Sequence, residues 1–215
     1  MRIFLFIFFI LFQSCAGYRF QNRANPFKQY GIKTLAIPMF YNQSTISNIA
    51  PAFTKEIYNM LSGFNDLRLV NSHTQSDAVL IGIIDSNDRI MKTIAPGAPR
   101  SVENIGGEDA ANKRGDFYVP SSNRLNIVLK LIVIKNPTKE EIEFLKSNLS
   151  SQSLFSSKII FRESIPLSQS FTREIFGGEA ISVNHTQNRG ALRKSIISLS
   201  KNATEVFKEM ILYAF

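Results

Sequence analysis

Apolar residues alternate with polar residues most regularly between residues 124 and 135. This period of two is typical of a β-strand with one buried face, formed here by Leu125, Ile127, Leu129, Leu131 and Val133. In residues 76–85 both alternating sets are apolar, so we expect that strand to lie at the centre of a sheet and to continue through 89–94. Shorter apolar runs predict strands within 32–38, 66–70 and 157–167.

Two segments instead show the 3.6-residue period of an amphipathic helix. The first has Pro51 in its first turn and a stripe of Phe53, Ile57, Met60, Leu61 and Phe64. The second, over about 188–213, has a stripe of Leu192, Ile196, Leu199, Ala203, Val206, Phe207 and Met210. A short helix is also predicted at 137–148, where Thr138 and Glu141 are spaced as a capping box.

This order of elements predicts an α+β fold. The first strand–helix–strand unit should be a right-handed crossover between parallel strands, and the later strands should be antiparallel. We expect a small mixed β-sheet of about four to five strands with two main helices packed on one face. Residues 32–215 would form a single α/β sandwich domain, interrupted by a long loop at 95–123 that is rich in Gly, Pro and charge.

The N-terminus contains an uninterrupted apolar run, Ile3–Phe12, directly after Arg2. A bilayer-spanning helix needs about 20 apolar residues, so this run is typical of a signal peptide, here residues 1–14. The only cysteine, Cys15, follows at once in a stretch that resembles a bacterial lipobox, although Phe12 stands where leucine is usual. The resemblance implies lipidation of Cys15, with palmitate among the acyl chains, and 15–31 as a lipidated tether. The alternatives are an ordinary secretory signal with an incidental cysteine, or an uncleaved anchor.

The residues after Cys15, Ala16 and Gly17, are not acidic. By resemblance to Gram-negative lipoproteins, this favours the periplasmic side of the outer membrane.

The composition is basic. The formal charge is +8, and removing Arg2 with the signal peptide reduces it to +7. Such an excess suits lipid head groups, lipopolysaccharide phosphates or nucleic acid, and the export signal argues against nucleic acid. Five cations flank or lie on the long loop and are candidate lipopolysaccharide-binding residues, with ordinary solubilising charge as the alternative: Arg89, Lys92, Arg100, Lys113 and Arg114.

Catalytic chemistry has little support in the sequence. His73 and His185 are the only histidines, and no Gly-x-Ser-x-Gly elbow or metal-ligand spacing is present. The acidic pairs Glu108-Asp109 and Glu140-Glu141 are adjacent along the chain and do not face each other across a bond as a glycosidase pair must. We therefore expect no enzyme activity, no cofactor and no metal.

Several of these features together resemble the lipopolysaccharide-assembly lipoprotein family LptE. The residues that carry the resemblance are Cys15, Gly17, Tyr18, Pro38, Phe40, Asn42, Asp77 and Ala78, followed by the segment 170–176 before the long C-terminal helix. The family pattern covers most of 15–94 and about 168–213, and the chain departs from it at 95–123 and in an insertion at 136–157.

The resemblance implies an outer-membrane lipoprotein that assembles with an LptD-type β-barrel, plugs it, and binds lipopolysaccharide during transport to the cell surface. The same strand–helix–strand order also resembles the lipoprotein group of CsgG and LpoB, which implies secretion or activation of a peptidoglycan synthase instead.

Overall fold

The structure, a computed structural model, describes residues 24–72, 76–86, 91–93, 100–101, 117–118, 122–147, 157–172, 175–176, 182–183 and 185–214. Its α-helices are α1 (Ala50–Leu61), α2 (Lys139–Ser147) and α3 (His185–Ala214), of which α1 and α3 are the two main helices predicted. A short 3-10 helix at Lys28–Tyr30 precedes them. The strands are β1 (Thr34–Ala36), β2 (Tyr41–Asn42), β3 (Arg68–Val70), β4 (Ala78–Asp85), β5 (Met91–Thr93), β6 (Arg100–Ser101), β7 (Phe117–Tyr118), β8 (Ser122–Lys135), β9 (Ile159–Thr172), β10 (Ile175–Phe176) and β11 (Ser182–Val183).

Seven of these strands form one mixed sheet that has five positions across its width. Strands β1 and β2 both pair in parallel with β4, and β4 and β5 both pair with β8, so each pair shares one position. The order is therefore β3, β1 with β2, β4 with β5, β8 and β9. The predicted α+β class and the width of four to five strands are confirmed.

Strand directions also agree with the sequence pattern. Strand β1 is parallel to both β3 and β4, whereas β8 is antiparallel to β4, β5 and β9. All residues from Ala78 to Ile84 are buried, as expected for a central strand with two apolar faces. The predicted continuation of this strand is present as β5, which pairs with residues 122–124 of β8.

The larger core lies between one sheet face and the helices α1 and α3, as the two apolar stripes predicted. Phe53 and Ile57 of α1 and Phe207 of α3 are fully buried in it. The Phe207 ring meets Phe161 of β9 edge to face, with 5.6 Å between ring centroids. Burial of these aromatic side chains supplies much of the free energy of folding in a chain whose only cysteine cannot form an internal disulfide.

A smaller core lies on the opposite face, under α2. It contains Val79, Ile81 and Ile83 of β4 together with Ile142 and Leu145 of α2. The predicted capping box at the start of α2 is formed: the Thr138 N–H donates to Glu141 Oε2 at 2.8 Å, and the Glu141 N–H donates to Thr138 Oγ1 at 3.3 Å. The two main helices thus share one face, and α2 covers part of the other.

Two segments carry more structure than the sequence pattern indicated. Within the predicted loop 95–123, β6 and β7 pair in antiparallel fashion, and β8 already begins at Ser122. The predicted tether 15–31 is described from Ala24 onward, where Phe27 is fully buried. Asn25 fixes that segment, because its side-chain N–H donates to the carbonyl oxygens of Ile32 at 2.7 Å and Asp66 at 3.3 Å.

Two ends of the sheet are distinguished below. The basal end is where β1, β3 and β4 begin and β8 ends, at Thr34, Arg68, Ala78 and Lys135. The apical end is where β4 ends and β8 begins. Helix α3 contains 30 residues, so it extends about 45 Å and finishes at the basal end beside residues 24–29.

Candidate functional site

Strands β8 and β9 pair over almost their whole length and leave one polar face uncovered beyond α2. The residues of this face, named here the open sheet face, are Arg124, Asn126, Val128 and Lys130 of β8, Arg162, Ser164, Pro166, Ser168 and Ser170 of β9, and Asp85 of β4. They lie opposite the buried set because side chains alternate between faces along a strand. The result is a face of hydroxyl, amide and charged groups, interrupted in its middle by the cross-strand pair Val128 and Pro166.

Side chains on the open sheet face bond to one another across the strands. Ser168 Oγ donates to Asn126 Oδ1 at 2.9 Å, and Arg124 Nε donates to Ser170 Oγ at 3.3 Å. Lys130 Nζ pairs with Asp85 Oδ2 at 2.8 Å, and both side chains remain 28% exposed. These bonds hold the polar groups in place while leaving further donors and acceptors accessible to a partner.

A shallow cleft of about 340 Å³ lies in the middle of this face. Asn126, Val128, Pro166 and Ser168 line it. Arg124 and Arg162 are exposed elsewhere on the same face and carry positive charge. The open sheet face can therefore exchange hydrogen bonds and ionic contacts with a polar or anionic partner.

The five predicted lipopolysaccharide-binding cations are described only in part. Lys92 lies in β5 opposite Asn123 of β8, and Arg100 lies in β6 opposite Tyr118. Arg89, Lys113 and Arg114 lie outside the described residues, as does the predicted lipidation site Cys15. The two described positions belong to different sheets, so the structure does not join them into one site.

Sequence reasoning did not single out Arg124, Lys130 and Arg162. Their signal was present in the polar positions that alternate with apolar ones in 124–135 and 159–170. The pattern alone does not show that the two polar sets share a face, because that depends on the register in which Arg124 lies opposite Ser170 and Lys130 opposite Ser164.

The residues that resemble the LptE pattern have structural roles. Asp77 Oδ2 accepts the backbone N–H groups of Lys33 at 2.9 Å and Thr34 at 2.8 Å, which fastens the start of β1 to the start of β4. The bond from the Lys33 N–H is the main cause of the lowered pKa of Asp77. Bonds with the Thr34 hydroxyl and N–H lower that pKa further. Charge on Asp77 is thus stabilised by the backbone of a neighbouring strand.

Two further residues of that pattern shape the turn between β1 and α1. The Phe40 ring lies on Gly82, where a Cβ would come within 2.5 Å of ring carbons. Asn42 Nδ2 donates to the Ile46 carbonyl at 2.7 Å, and Asn42 Oδ1 accepts the Ser44 hydroxyl at 2.6 Å. These two residues of the LptE-like pattern therefore shape the connection between β1 and α1.

Candidate metal ligands are not grouped in the described part of the chain. Within those ranges, no three His, Cys, Asp or Glu side chains are placed so that they could hold a metal ion. His185 begins α3, and His73 lies outside the described residues. Glu141 serves the α2 cap and pairs with Lys158 Nζ at 2.7 Å. None of the helices in the described ranges combines the length and apolar character needed to cross a bilayer.

Comparison with known proteins identifies no family for the chain. No family model matches it, and no curated protein matches it by sequence. Among solved structures, a putative lipoprotein from Caulobacter crescentus is similar at 4% identity and a TM-score of 0.43, over 81% of this chain and 89% of that one. A hypothetical protein from Chlamydia trachomatis is similar at 10% identity and a TM-score of 0.41, over 83% and 96%. Rare lipoprotein B from Shewanella oneidensis is similar at 8% identity and a TM-score of 0.37, over 84% and 92%.

The solved structures to which the chain is similar thus include bacterial lipoproteins. At these identities and TM-scores the similarity defines neither a family nor a function.

Proposed function

We propose that this chain is an LptE-like outer-membrane lipoprotein, attached through Cys15 on the periplasmic side, that assembles with and plugs an LptD-type β-barrel for lipopolysaccharide transport. The observation that supports this most directly is the open sheet face. Its hydroxyl, amide and guanidinium groups suit the polar inner wall of a large barrel, where a protein plug must exchange hydrogen bonds rather than bury apolar surface.

The two-sided construction of the sheet agrees with this role. Helices α1 and α3 seal one face, so the core is complete without a partner. The other face keeps Arg124 and Arg162 exposed at two positions of the long β8–β9 pair. A domain with one sheet face covered by helices and the other face polar can bind the inner wall of the barrel without refolding.

The first test is co-purification. The lipidated protein would be recovered from solubilised outer membranes, and a large barrel of the LptD type should accompany it in stoichiometric amount. Recovery of a homo-oligomer or of a peptidoglycan synthase would contradict the proposal and favour the CsgG and LpoB group. Recovery of the barrel would support the assembly but would not show which surface binds it. The charge-reversal variant below tests whether the open sheet face does.

Reversing charge on the open sheet face tests that role. Replacing Arg124→Glu together with Arg162→Glu should reduce barrel recovery by about tenfold or more, because unfavourable contacts worth about 1.4 kcal/mol change an equilibrium tenfold. The matched control is Arg189→Glu with Arg193→Glu, two exposed arginines on α3. Equal recovery of barrel by both pairs would exclude the open sheet face as the binding surface.

Lipopolysaccharide binding is proposed for Arg89, Lys92, Arg100, Lys113 and Arg114, whose charge suits the glycolipid phosphates. Removing Lys113 and Arg114 together by alanine substitution should weaken binding of purified lipopolysaccharide. Arg193 and Lys194 form an adjacent, exposed pair of the same chemistry on α3 and provide the control. Unchanged affinity in the Lys113 and Arg114 variant would contradict this placement.

A further inference from the structure

The basal end of the domain is where the predicted tether joins the folded chain. Ala24, Pro26 and Lys28 line a cleft of about 480 Å³ there together with Ile211 and Leu212 from the end of α3. The Asn25 side chain and the buried Phe27 fix this segment to the domain. The position of Ala24, where the predicted tether meets the described chain, is therefore at the basal end.

Large apolar side chains are exposed at this same end. Tyr213 is 85% exposed and Leu212 is 40% exposed, both in the last turn of α3. Phe207 and Ile211 of the same helix are fully buried in the core. Tyrosine with an apolar neighbour is the combination that membrane–water interfaces favour, because the ring is buried while the hydroxyl remains hydrated.

Positively charged side chains also lie at the basal end. Lys28 is exposed beside the cleft, and Lys33, Arg68 and Lys135 stand where β1 and β3 begin and β8 ends. Lys135 Nζ donates to the carbonyl of Tyr30 at 2.7 Å, which places this cation close to the 3-10 helix. Asp66, Asp77 and Glu209 are acids near the same end and offset part of this charge; the Asp77 carboxylate accepts the Lys33 N–H at 2.9 Å.

The length of the tether limits which end can approach the membrane. Eight residues lie between Cys15 and Ala24, which makes nine steps along the chain, and extended chain covers at most about 3.5 Å per step, so this segment reaches at most about 30 Å. Strand β8 runs from the apical end to the basal end over 14 residues, so the two ends are about 45 Å apart. A lipid on Cys15 could not reach the bilayer if the apical end lay against it.

We infer that the basal end docks on a phospholipid surface that carries anionic head groups, with Leu212 and Tyr213 in the interfacial layer and Lys28, Lys33, Arg68 and Lys135 facing the head groups. This inference rests on the lipid attachment at Cys15 in the proposed function and is independent of the barrel. Cations near an anionic membrane surface each favour binding, and the exposed apolar pair adds contact with the acyl boundary.

The absence of tryptophan from the sequence allows a direct test. The lipidated full mature chain carrying Tyr213→Trp would be reconstituted into vesicles of phosphatidylethanolamine and phosphatidylglycerol with brominated acyl chains. The matched control is Tyr41→Trp, on β2 opposite Ile83, where the tyrosine is 37% exposed. Bromine quenches tryptophan emission only at short range, so the two probes compare two surfaces of one bound protein.

We expect the Tyr213→Trp emission to fall about twofold in brominated vesicles and to shift to shorter wavelength, because an interfacial side chain lies about 5–10 Å into the boundary layer. The Tyr41→Trp emission should be unchanged. Equal emission from both probes on vesicle-bound protein would overturn the inference, and so would mass spectrometry showing Cys15 without lipid. The vesicles contain no barrel, so failure to recover a barrel in the co-purification would leave this result standing.

Discussion

Among single residues, Asp77 joins two strands that lie far apart in the sequence. Its carboxylate accepts two N–H groups of β1, and its own N–H donates to Thr34 Oγ1 at 2.8 Å. The two strands are joined in both directions, although more than 40 residues separate them along the chain. A residue that resembles part of a family signature is thus explained by strand pairing rather than by ligand binding.

Replacing Asp77→Ala should lower the free energy of unfolding by about 1–2 kcal/mol, because two backbone donors lose a charged acceptor at a partly solvated site. Asp77→Asn keeps one acceptor oxygen and should cost less. Urea denaturation at neutral pH measures both variants, with Lys55→Ala at an exposed position of α1 as the control. A loss in Asp77→Ala no larger than in the control would contradict the fastening role.

Two glycines should respond to alanine in opposite directions. Gly82→Ala forces a Cβ to within 2.5 Å of the Phe40 ring and should destabilise the fold by about 1–3 kcal/mol. Gly190→Ala, in α3 with no atom within 4 Å of the added Cβ, should stabilise it by up to about 1 kcal/mol. Thermal unfolding of the two variants makes the comparison, and Phe40→Leu should recover part of the loss in Gly82→Ala. The same sign for both glycines would show that the ring contact does not control the response.

At the scale of secondary-structure elements, the start of α2 depends on its capping box. Thr138→Ala should cost about 1 kcal/mol, because the hydroxyl that accepts the Glu141 N–H is removed. Thr138→Ser retains the acceptor and should be nearly neutral. Chemical denaturation compares them. Equal stability of the alanine and serine variants would mean that packing of Ile142 and Leu145 alone holds this helix.

The sequence was sufficient for the elements whose burial follows a strong period. The alternation in β8 and the stripes of α1 and α3 each come from one buried face, so their type and position could be predicted. Strand β2 could not, because it contains only two residues and owes its assignment to pairing with β4. Phe27 was missed for a similar reason, since one buried aromatic side chain in a polar segment has no period.

The candidate site was less predictable than the fold. The alternation showed the polar positions on β8 and β9. It did not show that they form the open sheet face together, because that depends on the register between the two strands. The basal end shows the same limit. Ala24 and Leu212 lie 188 positions apart in the sequence, and only the folded chain brings them to one cleft.

At the scale of the whole molecule, acid should unfold the protein. The pKa of Asp77 is lowered chiefly by the Lys33 N–H, and that of Glu141 chiefly by Lys158. A carboxyl whose folded pKa lies below its unfolded value of about 4 stabilises the fold above that pH and loses this contribution as pH falls through the folded pKa. Protonation of the 17 acidic side chains also leaves the basic side chains to repel one another.

We therefore expect unfolding to begin below about pH 4, and the double variant Asp77→Asn, Glu141→Gln to lose less stability over that range than the unmodified chain. Added salt should move the acid midpoint to lower pH because it screens the repulsion. Circular dichroism is recorded against pH for the unmodified chain, for the double variant and for the unmodified chain with added salt. Superimposable curves for the variant and the unmodified chain would show that these two carboxylates do not govern the transition.

The attachment of residues 25–32 to the domain also determines how the protein bears mechanical load. A pull transmitted through the tether reaches Asn25 and Phe27 first, and then β1. Because β1 lies between the parallel strands β3 and β4 and begins at the basal end, such a pull acts along the strand and shears its hydrogen bonds together instead of opening them one after another. The proposed lipid anchor on Cys15 would therefore pull on the domain without unfolding it from that end.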